Sequence, residues 1–240
     1  VLTLGPSDVH LWFCRTQHLG DEAVADASLS LSAEERSRRD RFHFAADRRD
    51  FAIAHDLLRR TLYRYAGVSP ADWQFTKNKY GKPSIDSRDP HLAAISFSLS
   101  HTRGLVACGV TLAEALGVDV ERADRSLCAM QVAERYFSEQ EAAALRRQSD
   151  EPRRVRFTEL WTLKEAFWKA VGVGLSGSLA SASFQVEERR TIRFDPPPGF
   201  EPAAWHFSLF DLDGNARLGV AVHDSKEPHF KLHEHDPGAA

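Results

Sequence analysis

Asp119 and Glu121 stand two residues apart in the stretch Gly117-Val118-Asp119-Val120-Glu121. In an extended strand successive side chains alternate faces, so the two acids share one face and Val118 and Val120 take the other. Neighbouring carboxylates repel each other unless a proton or a cation separates them. Oxygen-only ligands of this kind suit Mg²⁺. An exposed strand end with two acids has the same pattern, so the pair needs company before it means chemistry.

The company comes from Trp161-Thr162-Leu163-Lys164-Glu165-Ala166-Phe167-Trp168-Lys169. On a helix Glu165 and Lys169 are four apart and share a face, with Trp161 one turn earlier. Such a pair is ordinarily a surface salt bridge worth a few tenths of a kcal/mol. The aromatic flank argues instead for a mostly buried helix, and a buried Glu and Lys need partners. A metal for Glu165 and a phosphate for Lys169 would supply them. Three carboxylates and a lysine can hold a metal-bound pyrophosphate, and phosphoryl chemistry asks mainly for charge neutralisation and positioning.

The elements that must position these groups follow from periodicity. Val9–Cys14 alternates as a strand. Ser32 with Glu35 forms a capping box, and helices are expected over 33–46 and 47–66, ending at Gly67. Residues 73–85 read as a strand and a turn at Tyr80-Gly81-Lys82-Pro83. Residues 95–99 read as a strand with one wet face, and 105–111 and 118–120 as buried strands. Helices follow at 126–135, 138–147 and 153–171, the last ending at Gly172. Strands at 184–186, 191–194, 205–210 and 218–222 are separated by turn signals such as Asp213-Gly214. The tail after Lys226 is polar and expected to be loose. The pattern is an α+β chain of two lobes, 1–115 and 116–240.

Composition sets the bounds. The 240 residues are 42% hydrophobic and 27% charged, enough apolar mass for a sizeable core. A net charge of -3 argues against bulk nucleic-acid binding. Residues 31–64 nevertheless hold nine arginines against six acids, either a solvated helix face or an anion-binding surface. Three unpatterned cysteines, Cys14, Cys108 and Cys128, fit free thiols in a reducing compartment. No apolar run approaches the ~20 residues that span a bilayer, and Val1–Gly5 carries no secretory pattern. A cytoplasmic protein without membrane contact is expected.

Four stretches in order resemble the Sfp-type 4′-phosphopantetheinyl transferases. They are Tyr80-Gly81-Lys82-Pro83, Phe97-Ser98-Leu99-Ser100-His101, Gly117 through Glu121, and Trp161 through Lys169 with Gly172 and Gly174-Leu175 behind it. Phe137-Ser138-Glu139-Gln140-Glu141 is a looser fifth. The resemblance implies a pseudo-twofold, two-lobed α+β monomer with a nucleotide cleft between the lobes. It implies transfer of the 4′-phosphopantetheine arm of coenzyme A to a serine of an apo acyl or peptidyl carrier protein, with release of 3′,5′-ADP. Such carriers serve fatty-acid, polyketide or nonribosomal peptide synthesis.

By motif position the metal ligands implied are Asp119, Glu121 and Glu165, for Mg²⁺ or Mn²⁺. Lys169 is the implied phosphate lysine. Glu141 or Glu165 is the implied base, although Glu141 is equally placed to close a capping box with Ser138. Coenzyme A is expected at Arg38, Lys77, Lys79, Tyr80, Gly81, Lys82, Ser98, Leu99, Ser100, His101 and Lys169, with Arg38 and His101 on the 3′-phosphate. Many relatives carry an arginine where this chain has Asp50, and Arg48 or Arg49 is the candidate substitute. Carrier docking is expected on Arg122, Arg125, Leu127, Met130, Arg135 and Tyr136, with Val132 on the same helix face. Two other functions use the same residues: a metal-dependent nucleotide pyrophosphatase, and a non-catalytic module binding coenzyme A or a carrier.

Overall fold

The computed structural model describes residues 1–125, 129–174, 177–187 and 191–237. Leu127, Cys128 and Leu175 lie outside the described residues, as does the side chain of Arg125. In chain order the first elements are β1 (Asp8–Arg15), α1 (Asp21–Leu29), α2 (Ala33–Asp40), α3 (Ala45–Ala66), β2 (Phe75–Lys77), β3 (Pro83–Ile85), α4 (Pro90–Ala93), β4 (Ser96–Thr102) and β5 (Leu105–Thr111). Then come β6 (Ala115–Arg122), α5 (Ala129–Tyr136), α6 (Glu139–Arg146), α7 (Asp150–Val171), β7 (Ser183–Val186), β8 (Ile192–Asp195), β9 (Trp205–Asp211), β10 (Ala216–His223) and β11 (His229–Glu234).

Local chemistry explains the helix ends. Ser32 Oγ accepts from Glu35 N at 3.1 Å while Ser32 N donates to Glu35 Oε2 at 2.7 Å, the reciprocal box that starts α2. The expected helix 33–46 stops sooner, at Asp40. Arg48 Nη1 donates to the Phe42 and His43 carbonyls there, fixing a loop before α3 begins. Gly67 and Gly172 close α3 and α7 with φ of 68° and 82°, left-handed values that favour glycine.

The chain separates into two compact units. One contains Val1–Lys77, Pro83–Ala113 and the chain from Pro228 on; the other contains Asn78–Lys82 and Glu114–Glu227. The division is therefore discontinuous, unlike a single cut at 115/116. In the first unit the strands run in the order β11-β1-β5-β4, with only β1 and β11 parallel among these pairs. The apolar face of α3, with Ile53, Leu57, Leu58 and Leu62, packs with Trp12, Phe97, Val106 and Val110 of that sheet. In the second unit the order is β6-β10-β9, antiparallel throughout, and α7 lies across β6 and β10. Phe137, Leu160, Leu163, Phe167, Phe184 and Leu209 fill its core.

Two expectations are corrected. The tail is not loose: Phe230 and Leu232 register with Val9 and Leu11, and the His233 ring stacks on Trp12 at 4.3 Å. Its histidines made it read as polar, but the alternating Phe230 and Leu232 supply the apolar half of a strand that covers the edge of β1. The wet face of β4 is also absent. Ser98 and Ser100 are buried, and of the residues from Ser98 to Ser100 and His101 only the histidine is exposed. Small hydroxyls tolerate burial when they are bonded. α1 and β11 lay outside the periodic reading altogether. Cys14 and Cys108 are buried free thiols, as expected. Among the described residues no helix is long and apolar enough to cross a membrane.

Candidate active site

The approach of α7 to its sheet is set by two glycines. A Cβ on Gly117 would stand 1.9 Å from the Ala166 carbonyl oxygen, and one on Gly219 would stand 2.7 Å from the Thr162 carbonyl carbon. Only a residue without a side chain lets β6 and β10 come this near the helix backbone. Since Gly117 faces α7, so do Asp119 and Glu121 at two and four residues on, while Val118 and Val120 point away and are fully buried. The same-face reading of the two acids holds.

The helix brings its own charges to that face. Lys169 Nζ donates to Asp119 Oδ1 at 2.7 Å and to the Val118 carbonyl at 3.1 Å. Asp119 is only 5% exposed. Glu165 Oε1 is buried and accepts no hydrogen bond. Its carboxyl is pushed up to about 7, first by burial and then by the negative charge of Asp119, with Lys169 opposing and Glu121 adding to the rise. Among the described residues no three His, Cys, Asp or Glu side chains close up tightly enough to hold a metal ion. The donor chemistry nonetheless fits a hard cation: three oxygen ligands, one with an unsatisfied buried oxygen.

Glu141 takes the capping-box place that the sequence also allowed. It closes the capping box of α6, accepting from Ser138 N and Ser138 Oγ at 2.9 Å each. Its other oxygen accepts from Phe184 N at 2.8 Å, and Lys164 Nζ lies 2.8 Å from Oε2. Both oxygens are committed and the side chain is buried, which realises the capping-box alternative for Glu141. Lys164, fully buried, completes its shell with the Leu179 and Ala182 carbonyls and the Phe137 ring. Burial draws its ammonium down, opposed by Glu141.

Lys82 stands in the turn between β2 and β3. Asn78 Oδ1 accepts from Tyr80 N and Lys82 N, shaping the turn, and Asn78 Nδ2 donates to the Gly172 carbonyl. The turn thereby docks on the end of α7, where Lys82 Nζ donates to the Ala170 carbonyl at 2.6 Å and reaches the Leu116 carbonyl at 3.4 Å. The Ala170 carbonyl belongs to the negative end of α7, and the Leu116 carbonyl to β6. Lys79 and Tyr80 remain exposed, the ammonium 4.8 Å from the ring centre, and Gly81 has a φ of 91°.

In the first unit Arg38 is exposed on α2, its guanidinium over the Phe51 ring. Lys77 pairs with Glu34 at 2.7 Å. Ser98, Leu99, Ser100 and His101 follow one another along β4. Asp50 is buried and accepts from Thr16 Oγ1 and Gly104 N, which ties α3 to the turn between β4 and β5. Neither neighbouring arginine is uncommitted: Arg48 bonds two carbonyls and Arg49 lies 3.7 Å from Asp50.

The expected docking residues divide. Met130 and Val132 pack against the core instead of standing out, because α5 needs an apolar anchor against α7. Arg122 reaches Asp213 at 3.5 Å. Arg135 and Tyr136 do face solvent and line a groove of about 600 Å³ with Trp161 and Leu179. That groove begins one helical turn from Glu165.

Sequence reasoning missed Gly219, Lys164 and Arg217, and the turn-shaping bonds of Asn78. Lys164 had a signal, a lysine inside an aromatic helix run. Arg217 had one only through register: it pairs across the sheet with Glu121 and is held by Asp211 at 3.1 Å, with Glu159 at 3.6 Å.

Comparison with known proteins bears on the whole chain. The 4′-phosphopantetheinyl transferase superfamily pattern matches residues 115–221, and that of the 4′-phosphopantetheinyl transferase N-terminal region matches 21–111. The chain is 33% identical over 223 residues to the 4′-phosphopantetheinyl transferase HetI of Nostoc sp., covering 92% of this chain and 90% of that protein. A 4′-phosphopantetheinyl transferase of Bacillus subtilis is 30% identical, over 80% of this chain and 82% of its own length. Among solved structures, a holo-(acyl-carrier-protein) synthase of Bacillus anthracis in complex with CoA (3′,5′-ADP) aligns with a TM-score of 0.41 at 18% identity, covering 47% of this chain and 96% of that one. With both halves matched and a relative of 33% identity aligned nearly end to end, the chain belongs to the 4′-phosphopantetheinyl transferase superfamily.

Proposed function

We propose that this protein transfers the 4′-phosphopantetheine group of coenzyme A to a serine of an apo acyl or peptidyl carrier protein, releasing 3′,5′-ADP. The observation that carries the site assignment is the buried, unsatisfied Glu165 oxygen on the same helix–sheet face as Asp119, Glu121 and Lys169. A binding module has no need to gather three carboxylates, Asp119 buried and Glu121 and Glu165 half-buried, against their repulsion.

Asp119, Glu121 and Glu165 would hold Mg²⁺, or Mn²⁺ in its place; when bound it supplies the charge that neutralises the pyrophosphate. The chain's own groups do the rest. Glu165 takes the proton of the carrier serine directly or through water. The serine oxygen forms its bond to the β-phosphorus as the bond from that phosphorus to the bridging oxygen breaks. Lys169 shifts from Asp119 toward the oxygen that leaves with 3′,5′-ADP and balances its charge. Arg38 and His101 take the 3′-phosphate, with Lys79, Tyr80, Gly81 and the Ser98–Ser100 strand along the nucleotide. Arg135 and Tyr136 meet the carrier beside the groove. The buried thiols Cys14 and Cys108 support a reducing, cytoplasmic setting, and the protein works as a monomer.

The test is incubation with coenzyme A, Mg²⁺ and several apo carriers, read by intact mass. Transfer adds the phosphopantetheine mass to a carrier. Free phosphopantetheine without carrier modification would instead make the chain a hydrolase. Dephospho-coenzyme A should be used less well than coenzyme A, and His101→Ala should narrow that gap; equal discrimination by the variant would remove His101 from the 3′-phosphate.

A further inference from the structure

Strand β11 lies at the edge of its sheet, against β1. Four of its six residues are exposed, so little apolar burial fixes it, and such a segment belongs to the least stable part of a fold. Its face toward α3 carries Lys231 and His233, with His235 next in the alternation; Lys231 registers with His10 and His233 with Trp12. The His233 ring stacks on Trp12 and meets the His10 ring edge-on at 5.7 Å. The Arg64 guanidinium of α3 lies over the same Trp12 ring, 4.7 Å from its centre.

The hydrogen bonds here suit neutral rings. Trp12 Nε1 donates to Tyr65 Oη at 3.1 Å, which leaves the tyrosine proton for His10 Nδ1, 2.7 Å away. Charging His10 would turn that nitrogen into a second donor to the same hydroxyl. Nε2 of His10, His233 and His235 is buried with no hydrogen-bond partner, Asp8 Oδ2 standing 3.6 Å from that of His10. A neutral ring can leave Nε2 bare at His233 and His235, whereas an imidazolium carries N–H on both nitrogens and would bury one unmet. The charged groups around the rings are Lys231, Arg64 and Arg60 against Asp8 and Asp236. Tyr65 and Cys14 stay neutral, both pushed up to about 12 by burial. Asp8 is already held by Lys231 Nζ and Gly5 N, and Arg60 by Asp56 and Asp26.

We propose that β11 is an acid-released strap: with His10, His233 and His235 neutral the strand seats on β1, and their protonation drives it off the sheet edge while α3 and the strands β1, β5 and β4 keep their packing. Burial first and Lys231 next hold His10 and His233 below the ordinary value of 6.5, with Asp8 opposing at His10 and Arg64 adding at His233. Burial, Arg64 and Arg60 draw His235 down to about 4 against Asp236. Lowered imidazoles stabilise the seated strand fully above 6.5, and that contribution is lost as pH falls, for His235 through about 4. The Lys231–Asp8 and Arg15–Glu234 pairs oppose release.

The experiment is hydrogen exchange of the intact protein at pH 7.5, 6 and 5, read by peptide mass spectrometry and corrected for the intrinsic effect of pH. Protection of residues 229–236 should fall about thirty-fold at pH 5 through His235 alone, and further through His10 and His233, while β5 stays protected. His235→Gln should remove the thirty-fold share. His10→Gln, His233→Gln and His235→Gln combined should make protection of the strand equal at pH 7.5 and 5. Ring resonances of the three histidines in the parent should each titrate below 6.5, and with His235→Gln they decide the matter if the combined variant is already open at pH 7.5. An unchanged pH response in His235→Gln or in the combined variant would overturn the proposal. So would a loss of protection shared equally by β5, or ring titrations at 6.5 or above.

Discussion

Glu35 and Glu165 are both partly buried helix carboxylates, one in each unit, and their surroundings treat them oppositely. Burial opposes ionisation at both. At Glu35 the hydrogen bonds of His55 and Ser32 N, with the charges of His55 and Arg59, outweigh that penalty and hold the carboxyl at about 2. At Glu165 burial is joined by the charges of Asp119 and Glu121, and the carboxyl rises to about 7. The first unit resolves each buried acid locally: Glu35 with Arg59, Asp50 with Thr16 and Gly104 N. The second resolves Glu141 against Lys164 but leaves an oxygen of Glu165 unmet. A helix–sheet face with an unmet buried acid is costly, and such a face is where chemistry is to be sought.

The contrast can be broken, and the largest effect belongs to a pair that is already satisfied. Glu141→Ala strands the fully buried Lys164 and should lower stability by about 3–5 kcal/mol, measured by urea denaturation. Glu141→Gln keeps most of the hydrogen bonds; wherever it folds, its pH–rate profile should match the parent. A lost or displaced acidic limb would return Glu141 to the list of bases.

Asp119→Ala should do the reverse, costing transfer and not the fold. Removing one carboxylate of the proposed metal set should slow turnover about a hundred-fold or more. Near-normal turnover by the folded variant would dissolve the site assignment. Relief of repulsion should also let the Glu165 carboxyl titrate lower than in the parent.

Linked to this is the dependence of stability on pH in the metal-free protein. The raised carboxyl of Glu165 favours the protonated native state, so its contribution is fully present below the ordinary value of 4.5 and is lost as pH rises through about 7. Glu35 runs the other way: its contribution is present above 4.5 and is lost as pH falls through about 2. Glu165→Gln should flatten the stability curve between pH 4.5 and 7, and Glu35→Gln should leave that window sloping and flatten the acid limb. Identical curves for parent and Glu165→Gln would show that Glu165 is satisfied in solution.

The smallest effect is expected at the rim. Arg135→Glu should raise the Michaelis constant for carrier about three-fold to ten-fold at low salt, with little change for coenzyme A. Unchanged carrier kinetics at low ionic strength would move docking to the arginine-rich helices of the first unit.

Periodicity and capping are local, and so they were legible. The capping boxes at Ser32 and Ser138, the glycine stops at Gly67 and Gly172, and the shared face of Asp119 and Glu121 depend on residues a few positions apart. The family motifs were legible for the same reason. The roles of Glu141, Lys82 and Lys164 were not, because their partners Phe184, Ala170 and Ala182 come from elements whose approach no spacing encodes. Strand β11 escaped because its partner β1 lies more than two hundred residues upstream. What tertiary structure alone decided is which charged side chains have their partners and which do not. Sequence determines that Glu141 and Glu165 are both acids on helices beside aromatic residues. Only packing, through Gly117 and Gly219 drawing α7 onto the sheet, turns one into an anchor and leaves the other with a buried oxygen unmet. Desolvation and Coulomb energy depend on distances between segments, and those exist only once the chain has folded.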